Sequence, residues 1–281
     1  MSNDTVGVCF IGGDDRQKYA AEELSKYISV KAIGDCFNDS SKVESCDNLV
    51  KAIKGVIFLI LPLPAAACEK TIDFLHIANI AKMNNMTILG GKFSQYMKDI
   101  MTSLEIKYFD YFEDEALTVK NAYLTAEGAL CLAMNALKTD IKNSKFAILG
   151  YGRIGKALGE LLSNLKGDVT VLARRDESLA LAETNGCCAH FIIHEDLSGY
   201  DVVFNTIPSR IINNEQLLRM SSKNILIELA SSPGGFDVEI AEQSGIYVIK
   251  APGVPGKYAP ISAGKIISDS LKKIIKMEGF I

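Results

Sequence analysis

The chain of 281 residues is long for one compact α/β layer structure and sufficient for two domains. Hydrophobic residues make up 48% of it and charged residues 23%, a globular balance that allows a sizeable core. The formal net charge of −4, without any long cluster of Lys and Arg, argues against nucleic-acid binding.

Strands and helices alternate along the N-terminal half, an order that predicts a parallel sheet with crossover helices. The apolar run at 56–61 is continuous, as expected for a strand that is covered on both faces. We predict strands at Val6–Ile11, Val56–Leu61, Thr87–Gly90 and, at the edge, Ile106–Phe109, and helices over Arg16–Tyr27 and Cys68–Met83.

A long helix is predicted over Glu113–Leu137, because this segment has no proline, a single glycine and many Ala, Leu and Glu residues. We expect an interruption near Gly128 and a role as a hinge between domains. A polar turn at 140–144 precedes a second series of elements. It comprises predicted strands at Phe146–Leu149, Val169–Ala173, Val202–Asn205, Ile225–Leu229 and Ile246–Lys250, and a last helix over Ile261–Met277.

The fold class that follows is α/β, with two domains that are each a mostly parallel sheet with flanking helices. We place the first domain at residues 1–120 and the second at 121–281, entered through the long helix. The final helix, at about 262–281, is a candidate to pack back on the first domain.

Neither a membrane span nor a metal site is expected. No apolar run reaches the roughly 18 residues of a membrane span, and the N-terminus lacks the layout of a secretory signal, so we expect a cytoplasmic protein. The seven cysteines are scattered and never form CxxC, which indicates reduced, mostly structural thiols and no zinc site.

The segment from Lys145 contains GxGxxG between an apolar strand and an amphipathic helix, the arrangement of a dinucleotide-binding Rossmann domain. The first glycine permits the tight turn, the second lets the backbone approach the diphosphate, and the third lets helix and strand pack closely. The alternative is a glycine turn that binds nothing. We assign cofactor binding to Gly150, Tyr151, Gly152, Arg153, Ile154 and Gly155.

The end of the next strand selects the cofactor, because an acidic residue there binds the ribose hydroxyls of NAD. Here Ala173, Arg174 and Arg175 occupy that position, and arginine suits the 2′-phosphate of NADP. We therefore predict NADP(H). The alternative is NAD, with solvated arginines and with Asp176 facing the ribose.

Three later loops lie at predicted carboxyl ends of strands, where open α/β sheets bind ligands. Their small and polar residues leave room for ribose and nicotinamide, although each could also be an ordinary turn. The assigned cofactor contacts are Asn205, Thr206, Ile207, Pro208, Ala230, Ser231 and Gly253.

The motifs together resemble the family of the dipicolinate synthase A subunits of spore-forming bacteria, over nearly the whole chain. The most specific of them are the last two. The motifs are Cys9–Gln17, Asn121–Ala129, Gly150–Gly155, Asn205–Pro208, Ala230–Asp237 and Ala251–Gly264.

The resemblance implies NADP-dependent dehydrogenation of dihydrodipicolinate to dipicolinate, the last step of dipicolinate synthesis, in the mother cell during sporulation. It also implies a partner, the flavoprotein-like second subunit of dipicolinate synthase. We further expect a homo-oligomer. The substrate is a small dicarboxylate, which needs cations or helix N-termini around it.

The candidate substrate contacts are Arg16, Thr125, Lys257 and Ser262, the last at the N-terminus of the final helix. Arg16 and Lys257 could equally be solvated. The candidate proton acceptors are Asp14 and Glu127. If Glu127 were buried in its apolar helix, burial would raise its pKa toward neutrality. A solvated helix face is the alternative for Glu127.

Two other functions stay open. One is a dehydrogenase of another small amino or hydroxy acid, although the final loops lack the histidine that hydroxyacid dehydrogenases pair with a carboxylate. The other is a protein that senses NADP(H) without reducing it. Turnover distinguishes a sensor from an enzyme.

Overall fold

The computed structural model describes residues 7–66 and 73–281, and these form two compact units. Unit 1 extends to Asn121 and also includes Ala259–Ile281, whereas unit 2 is Ala122–Tyr258. The boundary drawn from the sequence had left Ala259–Ile281 with the second domain. Each unit contains a six-stranded sheet in which every neighbouring pair of strands is parallel.

Unit 1 is built on a sheet of order β3-β2-β1-β4-β5-β6. Its strands are β1 (Gly7–Ile11), β2 (Ser29–Ile33), β3 (Glu44–Ser45), β4 (Val56–Ile60), β5 (Thr87–Gly90) and β6 (Tyr108–Asp110). Its helices are α1 (Asp15–Leu24), α2 (Leu49–Ala52), α3 (Phe74–Met83), α4 (Gln95–Ser103), the beginning of α5 (Glu115–Ala136) and α11 (Pro260–Met277).

Unit 2 is built on a sheet of order β12-β11-β10-β7-β8-β9. Its strands are β7 (Lys145–Leu149), β8 (Asp168–Ala173), β9 (Cys188–Phe191), β10 (Val202–Asn205), β11 (Ile225–Glu228) and β12 (Tyr247–Lys250). Its helices are the rest of α5, α6 (Arg153–Asn164), α7 (Asp176–Thr184), α8 (Asn214–Arg219), α9 (Val238–Gln243) and α10 (Val254–Tyr258).

Both sheets have the same topology when the strands are numbered within each unit. The order is 3-2-1-4-5-6, that of dinucleotide-binding sheets, with crossover helices between the parallel strands. The predicted α/β class with two parallel-sheet domains is therefore confirmed. In such a sheet the ligand site lies at the carboxyl ends of the strands, where the strand order reverses.

Helices α1 and α11 pack against each other with their backbones in close approach. A Cβ built on Gly264 of α11 would lie 2.7 Å from the carbonyl oxygen of Arg16 and 2.8 Å from the amide nitrogen of Ala20, both in α1. Ile267, Leu271 and Ile275 of α11 are buried in the core of unit 1. The final helix therefore belongs to the hydrophobic core of the first unit.

Three short strands were not predicted from the sequence, namely β2, β3 and β9. The burial of β2 alternates, and β9 is largely exposed, so neither has the apolar run by which β4 was found. The predicted beginnings of β1 at Val6 and of α3 at Cys68 lie outside the described residues.

The predicted interruption near Gly128 is wrong, because α5 runs through this residue without a break. A Cβ at Gly128 would overlap the Val254 side chain and approach the Tyr258 ring to 3.1 Å. This glycine therefore allows α10 to pack closely on α5. The segment expected to be a loop after β12 also contains α10, which begins at Val254.

Candidate functional site

The glycine turn of unit 2 connects β7 to α6. Gly150 has φ +92°, which favours glycine, and its N–H donates to the Leu172 carbonyl at 2.8 Å. A Cβ on Gly150 would lie 2.7 Å from Thr206 Oγ1, and a Cβ on Gly155 would overlap the Gly150 carbonyl. Both glycines are thus required by the fold of the turn itself.

Gly152 differs, because no described atom lies within 4 Å of a Cβ built on it. It is the N-cap residue of α6 and, having no side chain, contributes no capping hydrogen bond to this helix end. The space in front of the turn is therefore open, and the positive end of the helix dipole faces it. This arrangement fits the diphosphate of a dinucleotide.

The corresponding turn of unit 1 is closed by a carboxylate. Asp14 is the N-cap residue of α1, and its Oδ1 accepts from the Arg16 N–H at 3.0 Å. A diphosphate at this helix end would meet a negative charge. Of the two first-strand turns, both of which lie in the described part of the chain, that of unit 2 is the one suited to an anionic cofactor.

The remaining residues of the fingerprint fall into two groups. Tyr151 is buried, and its hydroxyl accepts from the Asn185 side chain at 3.0 Å, so its side chain links the glycine turn to the end of α7 rather than facing a ligand. Only the backbone of Tyr151 is available to a cofactor. Arg153 is exposed and Ile154 is half-buried in the first turn of α6.

The end of β8 carries two adjacent cations. Ala173 is buried, whereas Arg174 and Arg175 are exposed, and neither arginine forms a salt bridge within residues 7–66 and 73–281. Asp176 begins α7 and is also exposed. Both positive charges are therefore available to a phosphate at this strand end.

The loops after β10 and β11 are joined by a side-chain network that the sequence analysis missed. Glu228 is half-buried at the end of β11, and its Oε1 accepts from Asn205 Nδ2 at 2.7 Å and from the Ala230 N–H at 2.9 Å. Its Oε2 accepts from the Gly235 N–H at 2.8 Å. A carboxylate that ends an otherwise apolar strand was the signal in the sequence.

The other predicted contacts on these loops are arranged around this network. Thr206 Oγ1 donates to the Leu149 carbonyl at 2.7 Å, and the Ile207 N–H donates to Asn205 Oδ1 at 3.1 Å. Pro208, Ser231 and Gly253 are exposed, and Ala230 is half-buried. The carboxyl ends of β7, β10 and β11 thus carry the predicted residues on one edge of the unit 2 sheet.

Arg16 of unit 1 is buried, so the alternative of a solvated arginine is wrong. Its Nη2 lies 2.7 Å from Asp14 Oδ2 and donates to the Leu63 carbonyl at 2.6 Å. The side chain of Arg16 is 10% exposed and that of Asp14 is 51% exposed. Asp14 therefore caps a helix and pairs with a guanidinium, and a role as proton acceptor stays a prediction.

The remaining candidates lie in both units. Glu127 is exposed, which agrees with the alternative of a solvated helix face: this position of α5 faces solvent, whereas its neighbours Thr125 and Ala126 are buried. Lys257 is exposed in α10, and Ser262 is exposed in the first turn of α11. Their predicted contacts with substrate stay predictions.

The cysteines and other potential metal ligands form no cluster in the part of the chain that the structure describes. Within those ranges, no group of three or more His, Cys, Asp or Glu side chains could hold a metal ion. The cysteines that the structure describes are all free thiols, and burial raises the pKa of Cys9 to about 12. No described helix has the length and the apolar character needed to cross a membrane.

Two family models match this chain. Residues 7–112 match the N-terminal domain of the dipicolinate synthase A subunit. Residues 109–233 match the NAD-binding domain of D-isomer specific 2-hydroxyacid dehydrogenases. The second match supports a nicotinamide dinucleotide as the cofactor and an oxidoreductase as the class of protein.

Relatives with similar sequences and folds point the same way. The dipicolinate synthase A subunit of Bacillus subtilis (strain 168) is 28% identical over 282 residues, covering 95% of this chain and 95% of that protein. The crystal structure of the corresponding protein from Bacillus halodurans gives a TM-score of 0.84 at 26% identity, over 96% of this chain and 98% of that chain. The crystal structure of the Bacillus subtilis protein gives a TM-score of 0.82 at 27% identity, over 97% of this chain and 96% of that chain. These matches confirm the resemblance found in the motifs.

Proposed function

We propose, on the premise that this chain resembles the A subunit of dipicolinate synthase, that it is a nicotinamide-dependent dehydrogenase that oxidises dihydrodipicolinate to dipicolinate. The single observation that carries the dehydrogenase assignment is the open N-terminus of α6 at Gly152, in contrast to the carboxylate-capped N-terminus of α1. The nicotinamide cofactor, when bound, accepts a hydride from a ring carbon of the substrate.

We further propose that NADP is the preferred cofactor. Arg174 and Arg175 follow β8, the strand whose end faces the adenosine ribose in dinucleotide-binding domains. Both are exposed cations without a carboxylate partner among the described residues. Their charges are therefore free to bind a 2′-phosphate. Asp176, at the beginning of α7, is the residue that would bind the ribose hydroxyls if the preference were for NAD.

The protein's own contribution is mainly to bind and orient. The Glu228 and Asn205 network fixes the loops after β10 and β11, which limits the motion of groups around the nicotinamide. Arg16, held in place by its ion pair with Asp14, is the proposed contact for a substrate carboxylate. Aromatisation of the pyridine ring favours the reaction, so an acceptor of the accompanying proton, Asp14 or Glu127, needs only moderate basicity.

The cellular setting follows from the same resemblance. We infer a cytoplasmic protein of the mother cell during sporulation, a homo-oligomer, and a partner in the flavoprotein-like second subunit of dipicolinate synthase. Lys257, Ser262 and Thr125 complete the proposed set of substrate contacts.

Turnover of the purified chain tests this proposal. Dihydrodipicolinate is generated in situ by the synthase of the lysine pathway, and NADPH is followed by absorbance, with NAD⁺ in a parallel reaction. We expect NADPH formation together with dipicolinate. The double variant Arg174→Ala/Arg175→Ala should lose its preference for NADP⁺ over NAD⁺, because the 2′-phosphate loses its cations.

The control replaces exposed cations elsewhere in unit 2, in the double variant Lys142→Ala/Lys223→Ala, which should keep the preference. Tight binding of the cofactor without any reduction, even after addition of the flavoprotein-like partner, would contradict the dehydrogenase assignment and indicate a sensor. Reduction of the cofactor with another amino or hydroxy acid, but not with dihydrodipicolinate, would assign that acid as the substrate.

A further inference from the structure

A groove of about 500 Å³ lies on unit 1 between the first turns of α5 and helix α11. Leu117 of α5, Ile266 of α11 and the ring of Tyr27, which follows α1, line it. All of these residues belong to unit 1. Small-molecule sites in proteins have volumes of about 300–1,000 Å³, so this α5–α11 groove has room for a small organic ligand.

The walls of the α5–α11 groove are mostly apolar. Tyr27 is 54% exposed, Ala116 and Ile281 are also exposed, and Ile266 is half-buried. Single apolar side chains in contact with water are common on protein surfaces, but here several share one concave surface. A ligand with an apolar body would remove their surface from water, which favours binding.

The charged residues that line the groove carry more positive than negative charge. They are Lys120, Lys272, Lys273, Lys276, Asp114 and Asp269. Lys273 Nζ lies 2.8 Å from Asp114 Oδ2. Lys272 Nζ lies 2.8 Å from Asp269 Oδ1 and 4.6 Å from the centre of the Tyr27 ring. The Glu23 carboxylate on α1 also interacts with Lys272, but it is paired with Lys26 at 2.5 Å. Both carboxylates of the groove are therefore already neutralised.

The other two lysines, Lys120 and Lys276, have no such partner. Both are exposed, and neither forms a salt bridge within residues 7–66 and 73–281. The helix dipole favours Lys276 in the last turn of α11, but it gives no such reason for Lys120 in the second turn of α5. Lys276 also follows Lys272 by four positions, a spacing at which like charges destabilise a helix. An anion in the groove would therefore be attracted to both lysines.

We propose that the α5–α11 groove binds a small amphipathic carboxylate. Its apolar body covers Leu117 and Ile266, and its anionic end pairs with the lysines that lack a carboxylate partner. An apolar compound would leave these charges unpaired, and a small anion would leave the apolar walls in water. The site is separate from the proposed cofactor site, because all of its residues lie in unit 1.

Ligand-observed NMR titrations of the full chain at pH 7 test this site with octanoate as the probe. Acetate has the charge without the apolar body, and 1-octanol has the apolar body without the charge. Octanoate should bind at least about tenfold more tightly than acetate and about three- to tenfold more tightly than 1-octanol, because it alone uses both the walls and the lysines.

Two variants test the charges. In Lys120→Met/Lys276→Met the affinity for octanoate should fall about three- to tenfold, while that for 1-octanol stays within about twofold. Asp269→Asn should instead strengthen octanoate binding about two- to fivefold, because it releases the ammonium group of Lys272. The control is Lys54→Met/Lys265→Met, which removes two exposed lysines of unit 1 that do not line the groove, and it should keep the wild-type affinities.

Ala116→Trp tests the walls. Ala116 is exposed and lines the groove, so a large side chain there should fill it and abolish binding of both octanoate and 1-octanol in a folded protein.

Equal octanoate affinities of the wild type and Lys120→Met/Lys276→Met would overturn the site, as would octanoate binding that persists in Ala116→Trp. A wild type that binds octanoate no more tightly than acetate would overturn it too. If the wild type binds none of the three ligands and Ala116→Trp sediments as a smaller oligomer, copies of the chain cover the groove, and the proposal is wrong.

Discussion

The side-chain amide of Asn205 donates a hydrogen bond of 2.7 Å to the carboxylate of Glu228, and this pair joins the ends of two neighbouring strands. Asn205 is fully buried, and a Cβ on Gly235 would overlap its amide nitrogen. The same carboxylate fixes the backbone after β11 through the N–H groups of Ala230 and Gly235. One acidic side chain therefore determines the shape of the nicotinamide side of the proposed cofactor site.

Glu228→Gln should destabilise unit 2, since the glutamine NH₂ group would face a hydrogen-bond donor. We expect a loss of about 1–3 kcal/mol in the free energy of unfolding, the cost of an unsatisfied buried polar group. Urea unfolding measures it, with Glu239→Gln as control, because Glu239 is exposed in the first turn of α9. Equal midpoints for the two variants would contradict the structural role of Glu228.

Gly152→Ala should weaken cofactor binding without unfolding the protein. The new methyl group meets no described atom within 4 Å, but it occupies the space that the diphosphate needs. We expect at least about tenfold weaker NADP⁺ binding, roughly 1.4 kcal/mol, by a protein that stays folded at the assay temperature. Gly199→Ala is the control, since a Cβ there also meets nothing among the described atoms. Undiminished NADP⁺ binding by Gly152→Ala would contradict the placement of the diphosphate at this turn.

Gly264→Ala should destabilise unit 1 although alanine is the better helix former. The gain in helix propensity is about 1 kcal/mol. The added methyl group would lie 2.6 Å from Tyr19 Cβ and 2.7 Å from the Arg16 carbonyl oxygen, so α1 and α11 must move apart, at a cost of about 1–3 kcal/mol. Thermal unfolding should show a lower melting temperature, whereas Lys265→Ala, on the exposed side of α11, should not. A higher melting temperature for Gly264→Ala would contradict the close packing.

Asp114→Asn should remove a stabilising contribution that depends on pH. Desolvation alone would raise the pKa of Asp114, but hydrogen bonds from Lys273 and from backbone outweigh it, so the pKa lies below its ordinary 3.8. A carboxyl whose pKa is lowered by folding stabilises the protein above that ordinary value, and the contribution is lost as the pH falls through the lowered pKa. We expect a difference of about 0.2–1 kcal/mol at pH 7, because Lys273 is half exposed.

Unfolding of the wild type and of Asp114→Asn at several pH values checks this prediction. The difference should close under acidic conditions, since asparagine preserves the helix-capping hydrogen bond to the Ala116 N–H. A difference that persists at the lowest pH would assign the effect to capping rather than to charge.

The sequence predicted those parts of the fold that have a strong local signal. The run Val56–Leu61 and the glycine turn at Gly150–Gly155 are each determined by residues that are adjacent in the chain, and both were found. Gly128 was misjudged because its partners, Val254 and Tyr258, lie far away in the chain. A glycine in a helix looks like a break until the helix that packs on it is known.

In the candidate site, too, the features with a local signal were predicted and those that depend on distant residues were not. The positions of the fingerprint glycines and of Arg174 followed from local spacing. The role of Glu228 did not, because it depends on loops from different strands that come together only in the sheet. Whether Glu127 is buried or exposed was left open for a related reason, since the exposed side of α5 is set by its tertiary packing.

The carboxylate of Asp14 at the N-terminus of α1 has a consequence for binding stoichiometry. Two sheets of identical strand order would give two equivalent diphosphate sites per chain if topology alone decided. Unit 1 instead supplies its own negative charge to its first helix, while unit 2 leaves that charge to the ligand. We therefore expect saturation at one nucleotide per chain, because a single carboxylate, that of Asp14, disfavours a diphosphate in the second copy of the architecture.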